Sequence, residues 1–320
     1  MEDTPPLLLL SYGAPERQED VVPFLHNIFA GKNVPTERIA AAAQKYERHA
    51  AKSGHYSPLN SECRKLIDGI RQIAPDLPVY WGNLFWHPLL TDTVAEMKRK
   101  GVERAVCFAT SAFDSPSGNQ RYADALARAA NANPPMNIEK LPLPFDHPLF
   151  IEAQTERLLE IATEYRLNDV FNDLTGTPAP HVLFSAHSIS LADAARSRYV
   201  EQLQSTCRAV IEKIDASIPW ELVYQSRSGA AEHWLGPDIK ERINELAEEG
   251  NVESIIVSPM GFFCENMETE YDLEIEVGKC CGEHGLNFYR AKAVGAMPKV
   301  CRLIVELAGV AAPGSVNFYL

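Results

Sequence analysis

The sequence predicts an α/β protein made of two related halves, each a four-stranded parallel sheet flanked by helices. Three observations carry this. Short apolar runs rich in β-branched residues alternate with longer amphipathic ones, the pattern of parallel sheets covered by helices. The chain of 320 residues is long enough for about two domains. The sequence also echoes itself. Val102–Cys107 resembles Val252–Val257, and His147-Pro148 resembles Met297-Pro298, both 150 residues apart. Val79-Tyr80 resembles Val223-Tyr224, and Leu8–Ser11 resembles Val182–Ser185. Four echoes in one order point to duplication, with a border near Gly176–Pro180.

The eight expected strands are Pro6–Ser11, Pro78–Gly82, Arg104–Ala109, Asn137–Leu141, His181–Ser185, Glu221–Gln225, Ser254–Ser258 and Asn287–Ala291. Helices fall between them. Ala40–Ala43 reads as plain helix, and Thr91 suits the cap of a helix closing at Gly101. Pro148 suits the first turn of a helix reaching Tyr165. Ser190 suits the cap of one helix over Ala192–Ile214. Pro237 opens a helix ending near Gly250, and Gly285 and Gly309 mark two further C-terminal stops. The expected domains are 1–175 and 176–320, the last helix packing back on the first.

The chain carries 30 Lys and Arg against 43 Asp and Glu, a net charge of −13. That balance argues against a nucleic-acid partner, which needs clustered cations, and against adhesion to an anionic membrane. The acidic start and the four-residue run Leu7–Leu10 suit neither a signal peptide nor a membrane span. Seven cysteines form no C-x-x-C pair, so reduced thiols in a cytoplasmic protein are expected. No G-x-G-x-x-G or P-loop pattern supports nucleotide binding.

Ligands of parallel sheets sit beyond the carboxyl ends of the strands. Ser11-Tyr12-Gly13 follows the first strand of one half, and Ser185-Ala186-His187-Ser188 the equivalent strand of the other. Tyr12 and His187 are therefore expected to face a cleft from opposite sides. An imidazole there can take a proton at neutral pH or bind a first-row metal, or it can be a buried histidine satisfied by the loop. Glu268, Asp272 and Glu276 step by four, which puts three carboxylates on one helix face. They read as oxygen ligands for a divalent cation, or as a row that holds protons. Glu270 and Glu274 read better as a solvated face. Phe85-Trp86, Phe113, Tyr122 and Phe262-Phe263 gather near strand ends and suit a flat apolar ligand, or an ordinary core. Cys280-Cys281 with His284 is a thin metal pattern and reads better as packing.

Taken in order, these segments resemble the ferrochelatases, most closely the soluble bacterial type acting on coproporphyrin. Leu7–Glu16 looks like that family's opening strand and loop. Gly54–Asn60 resembles its glycine–serine–proline motif, and Val79–Asn83 with Trp86-His87-Pro88 its second-strand motif. Phe184–Ser188 matches the segment with its histidine, Tyr224–Arg227 a further signature, and Glu268-Thr269 with Tyr271–Leu273 the acidic helix.

The resemblance implies two Rossmann-like domains in a chelatase-like fold and insertion of Fe²⁺ into a porphyrin, coproporphyrin III giving coprohaem for haem biosynthesis. By carry-over, His187 and Glu268 are catalytic; with Asp272 and Glu276 they are also the metal-handling residues. Tyr12, Ser57 and Tyr122 contact the porphyrin. Protoporphyrin IX, another tetrapyrrole chelatase, and a haem carrier or sensor stay open as alternatives. Three departures stand out. Asn266 stands where many members have a second histidine. Phe29 and Ala30 occupy positions where some Gram-positive relatives have arginines near the propionates, which leaves Lys32, Ser57 or backbone amides as donors. Asn119 stands where cluster-bearing relatives have cysteine, and the end Val316–Leu320 has none. No iron–sulfur cluster is therefore expected, and no cofactor beyond the iron substrate. The expected partners are porphyrin and ferrous iron, with a transient partner enzyme of haem biosynthesis; neither nucleic acid nor stable membrane insertion is expected.

Overall fold

A computed structural model describes residues 4–31, 34–132, 134–164, 180–227 and 233–309. Lys32, most of the expected border at Gly176–Pro180, the helix end at Tyr165 and the C-terminal Val316–Leu320 lie outside the described residues.

All eight expected strands are present: β1 (Leu7–Ser11), β2 (Val79–Asn83), β3 (Arg104–Ala109), β4 (Asn137–Lys140), β5 (His181–His187), β6 (Trp220–Gln225), β7 (Ser254–Ser258) and β8 (Asn287–Arg290). They form two parallel sheets of one topology, β2-β1-β3-β4 and β6-β5-β7-β8. The inner strands are continuous apolar runs because helices cover both faces, and Leu7 to Leu10 are wholly buried. The edge strand β4 instead alternates between exposed and half-buried residues.

Strand register tests the internal echoes. β3 pairs with β4 from Arg104↔Asn137 to Cys107↔Lys140, and β7 with β8 from Ser254↔Asn287 to Val257↔Arg290, the same offset of 150 on both strands. Leu7 pairs with Val106, whereas Val182 pairs with Ile256. Leu7 thus corresponds to Val182, and the Leu8–Ser11 echo is one residue out of step. Val79 corresponds to Trp220 by the same logic, so the Val79-Tyr80 echo is also out of register. Buried strands draw on few residue types, so short matches arise without equivalence. The true register makes Tyr12 the counterpart of His187.

The helices are α1 (Gln18–Phe29), α2 (Thr36–Ser53), α3 (Leu59–Ile73), α4 (Leu90–Arg99), α5 (Arg121–Asn131), α6 (Pro148–Glu164), α7 (Leu191–Ala194), α8 (Tyr199–Ile214), α9 (Ile239–Glu249), α10 (Gly278–Glu283) and α11 (Pro298–Leu307). Two π-helical segments, π1 (Pro116–Gln120) and π2 (Thr269–Val277), precede α5 and α10. Three expectations need correction. Thr91 lies inside α4, whose N-cap is Leu89; the entry is set by the Thr93 hydroxyl, which donates to the Trp81 carbonyl at 2.8 Å. Ser190 does cap a helix, accepting from the Asp193 N–H at 3.1 Å, but α7 stops after four residues. The Arg198 N–H there donates to Asp114 at 3.3 Å, and a separate α8 begins at Tyr199. Asp238, rather than Pro237, is the residue whose side chain caps α9.

The chain folds into two compact units that do not follow a division at 175. The first comprises the described residues of 1–110, 120–142 and 295–320, and the second those of 111–119 and 143–294. Helix α6 follows β4 in sequence but packs on α8 in the second unit. There the Thr206 hydroxyl donates to the Phe145 carbonyl at 2.7 Å, and Phe150 stacks on Phe263 with centroids 6.1 Å apart. Helix α11 follows β8 but packs on α3 in the first unit. A Cβ at Gly69 of α3 would lie 2.5 Å from the Cys301 sulfur, so this helix crossing needs glycine. Gly69→Val is therefore expected to cost about 1–3 kcal/mol by overpacking, read as a lower urea midpoint. An unchanged midpoint would contradict the crossing.

Candidate active site

In the second unit β5, β6 and β7 run parallel, so their carboxyl ends share one edge. His187 is the last residue of β5, half-buried. Its Nδ1 lies 2.7 Å from the Ser188 carbonyl. A carbonyl only accepts, so Nδ1 carries the hydrogen and the neutral ring keeps its basic lone pair on Nε2. The backbone around it is pinned on several sides. The Tyr199 hydroxyl donates to the His187 carbonyl at 3.1 Å, and the Ser188 N–H to the Gln225 carbonyl at 2.8 Å. Gly261 crosses the strand so closely that a Cβ there would sit 2.7 Å from Ala186 Cα and 2.8 Å from its Cβ.

The loop after β7 leads into π2 and carries the acidic row. Asn266 Oδ1 accepts from the N–H groups of Glu268 and Thr269 at 2.8 and 3.2 Å. The residue standing in place of a second histidine is thus a cap for the helix start. Glu268 is half-buried, and its Oε2 is shut off from solvent with no hydrogen-bond partner among the described residues. Such an oxygen is expensive unless it meets a cation or a proton. Asp272 Oδ2 accepts from the Ser226 hydroxyl at 3.3 Å. Ser226 follows β6 with φ of +61°, a left-handed conformation that an L side chain adopts at a cost. Glu276 pairs with Lys240 at 3.3 Å and is the exposed end of the row. The sequence spacing suggests an α-helix, but the segment is π-helical. Its wider i→i+5 turn is uncommon and often marks functional sites.

The first unit carries Tyr12 just beyond β1. Its hydroxyl accepts from Arg121 Nη1 at 3.3 Å, and its ring lies 4.5 Å from that of Phe85. The Arg121 guanidinium also covers Phe85, 5.8 Å from the ring centre. Gly13 has φ of +79°, and a Cβ there would lie 2.8 Å from Asn83 Cβ. Ser57 is buried and accepts from the Leu59 N–H at 3.4 Å at the head of α3. Tyr122 corrects an expectation. It is 4% exposed, packed with Leu8, Leu10 and Leu126, and is a core residue rather than an open contact surface. The helical turn presents its neighbour Arg121 to Tyr12 instead. Phe113 and Phe263 are likewise core, whereas Phe85, Trp86 and Phe262 keep partial exposure.

The seven cysteines are buried and none is joined in a disulfide. Burial pushes the Cys107 and Cys281 thiols up to about 12 and Cys301 to about 11. Cys280 Sγ and His284 Nε2 both turn to Asn244 Oδ1, at 3.5 and 2.9 Å.

The ferrochelatase family model matches residues 5–311. The chain belongs to the ferrochelatase family. It is accordingly an enzyme that inserts iron into a porphyrin. A coproporphyrin III ferrochelatase from Frankia alni is 42% identical, covering 94% of this chain and 78% of its own. A ferrochelatase from Rhodopirellula baltica is 37% identical, covering 97% and 88%. The cobalt-bound sirohydrochlorin chelatase SirB of Bacillus subtilis subspecies spizizenii superposes with a TM-score of 0.56 over 96% of this chain and 94% of its own. At 14% identity that likeness shows a shared chelatase fold.

Ser226, Arg121 and Gly261 carry little signal of a site in the sequence. Gly261 was legible only as a glycine after a strand, and Ser226 only as part of the Tyr224–Arg227 signature. Gly261→Ala is expected to push β5 outward, costing about 1–3 kcal/mol of stability and lowering iron insertion with it. Wild-type activity and stability in that variant would contradict the close approach.

Proposed function

We propose that the substrate is coproporphyrin III, that the product is coprohaem, and that His187 and Glu268 carry the chemistry. The observation that carries the residue roles is the pair of uncommitted atoms at one sheet edge. His187 is left with a basic Nε2, and Glu268 with a buried Oε2 lacking a donor. Relatives named coproporphyrin III ferrochelatases at 36–42% identity support the choice of porphyrin.

Metallation removes both pyrrole protons and forms the iron–nitrogen bonds. His187 Nε2 accepts one proton as general base. Glu268 accepts the other, or holds the entering Fe²⁺ while the second proton passes to solvent water; either way its buried oxygen gains the positive partner it otherwise lacks. Asp272 and Glu276 replace water ligands on the incoming ion in turn, starting from the exposed end at Glu276. A flat porphyrin hides its nitrogen lone pairs, so binding elsewhere on the ring must supply the distortion that exposes them. Tyr12 and Ser57 are the proposed porphyrin contacts. Arg121 offers a cation beside Tyr12, useful where Phe29 and Ala30 offer none. In this reading the protein works in the cytoplasm, needs no iron–sulfur cluster and hands its product to a partner enzyme. No helix among the described residues is long and apolar enough to cross a membrane.

Two measurements test the proposal. Turnover with Fe²⁺ is expected to favour coproporphyrin III over protoporphyrin IX; the reverse preference would overturn the substrate. His187→Ala is expected to lose about 10²- to 10⁴-fold in kcat, as loss of a general base does, while porphyrin still binds. Retained turnover would remove His187 from the mechanism.

A further inference from the structure

Beneath the acidic row lies an ion pair for which the reaction has no direct use. Arg290, the last residue of β8, and Glu265, in the loop after β7, have side chains only 7% and 10% exposed. Arg290 Nη1 reaches both Glu265 oxygens, at 3.0 and 3.1 Å. The Ala293 N–H donates to Oε1 at 2.5 Å and the Thr269 hydroxyl to Oε2 at 2.8 Å. With its hydrogen turned to Glu265, Thr269 Oγ1 accepts from the Asn266 N–H at 3.0 Å. Asn266 Oδ1 then accepts from the Glu268 N–H at 2.8 Å. An unbroken chain of hydrogen bonds thus runs from β8 to the backbone of Glu268.

A buried ion pair is a poor device for stability alone. Its desolvation cost commonly cancels its attraction, and well-packed apolar side chains often do as well. Burial opposes the charge on Arg290, but the Glu265 and Glu274 carboxylates outweigh it and hold the guanidinium pKa above its ordinary value. We propose that Arg290 and Glu265 are positioning residues for Glu268, holding the head of π2 so that its Oε2 is presented to the metal rather than to water. This rests on the catalytic role given to Glu268 above. The second arm of Arg290 reaches Glu274 at 2.8 Å, but that carboxylate is 56% exposed and contributes little to the positioning.

The test compares wild type, Glu265→Gln, Arg290→Met, the double variant and Glu274→Gln. Steady-state metallation of coproporphyrin III by Fe²⁺ is followed per porphyrin-binding site, alongside melting temperature. Each single variant is expected to lose about 10- to 100-fold in kcat, the usual cost of removing support behind a metal-handling residue. The porphyrin KM should stay within about twofold, because Glu268 rather than the porphyrin contacts is disturbed. The double variant should lose no more than the worse single, since both break one chain. Glu274→Gln should match wild type. If Arg290→Met does not fold, Arg290→Lys, which keeps the charge but not the planar guanidinium that carries Nη1 to Glu265, is expected to lose kcat in the same sense. A lower melting temperature with unchanged kcat would overturn the proposal, as would losses that multiply in the double variant. An inactive wild type would overturn the proposed reaction instead.

Discussion

The hydrogen bond from His187 Nδ1 to the Ser188 carbonyl decides which atom of the second unit can act as a base. An imidazole has two nitrogens, and a site built around it works only if the ring cannot choose between them. Here the choice is made by backbone, and the backbone is fixed by its neighbours. β5 lies between β6 and β7, Gly261 presses against Ala186, and the Tyr199 hydroxyl holds the His187 carbonyl. Each of these contacts needs a specific residue: a glycine where no Cβ fits, and a phenol at the head of α8. The break between α7 and α8 belongs to the same arrangement, because it places Tyr199 at a helix start.

The carboxylate side follows a similar logic with a different device. Asn266 secures the helix head, and the π-helical turn then displays Glu268, Asp272 and Glu276 in very different surroundings. Glu268 offers a bare buried oxygen, Asp272 takes a hydroxyl from the strained Ser226, and Glu276 meets Lys240 near solvent. In the proposed reaction, a cation passing along this row would move from a screened oxygen near solvent toward one whose desolvation has already been met by folding. Coulomb attraction is strongest where water is scarcest, so the row has a direction.

Much of this was legible in the sequence. The strands were visible because an inner parallel strand must be apolar on both faces, as Leu7–Leu10 and Val182–Phe184 are. His187, Glu268 and Asp272 were visible as polar residues at the carboxyl end of a strand or in a regular row. Other features were hidden for physical reasons. Spacing by four suits the commoner α-helix and is compatible with a π-helix too, so the π-helical turn of π2 was hidden. The return of α11 to the first unit was expected, but the packing of α6 in the second was masked, because sequence neighbours are not packing neighbours once a chain doubles back. Tyr122 and Arg121 are adjacent and both chemically suitable; only the helical turn says which is core. Register could not be read from the Val79-Tyr80 echo, since any buried strand can supply a valine and a tyrosine.

The proposed roles depend most directly on the tautomer of His187. Nitrogen-15 correlation spectra of the neutral ring, recorded on the substrate-free protein, report which nitrogen bears the hydrogen. The geometry predicts a protonated Nδ1 and an unprotonated, pyridine-like Nε2. A ring protonated on Nε2 would contradict it, because no lone pair would then be left on the atom assigned to take the pyrrole proton.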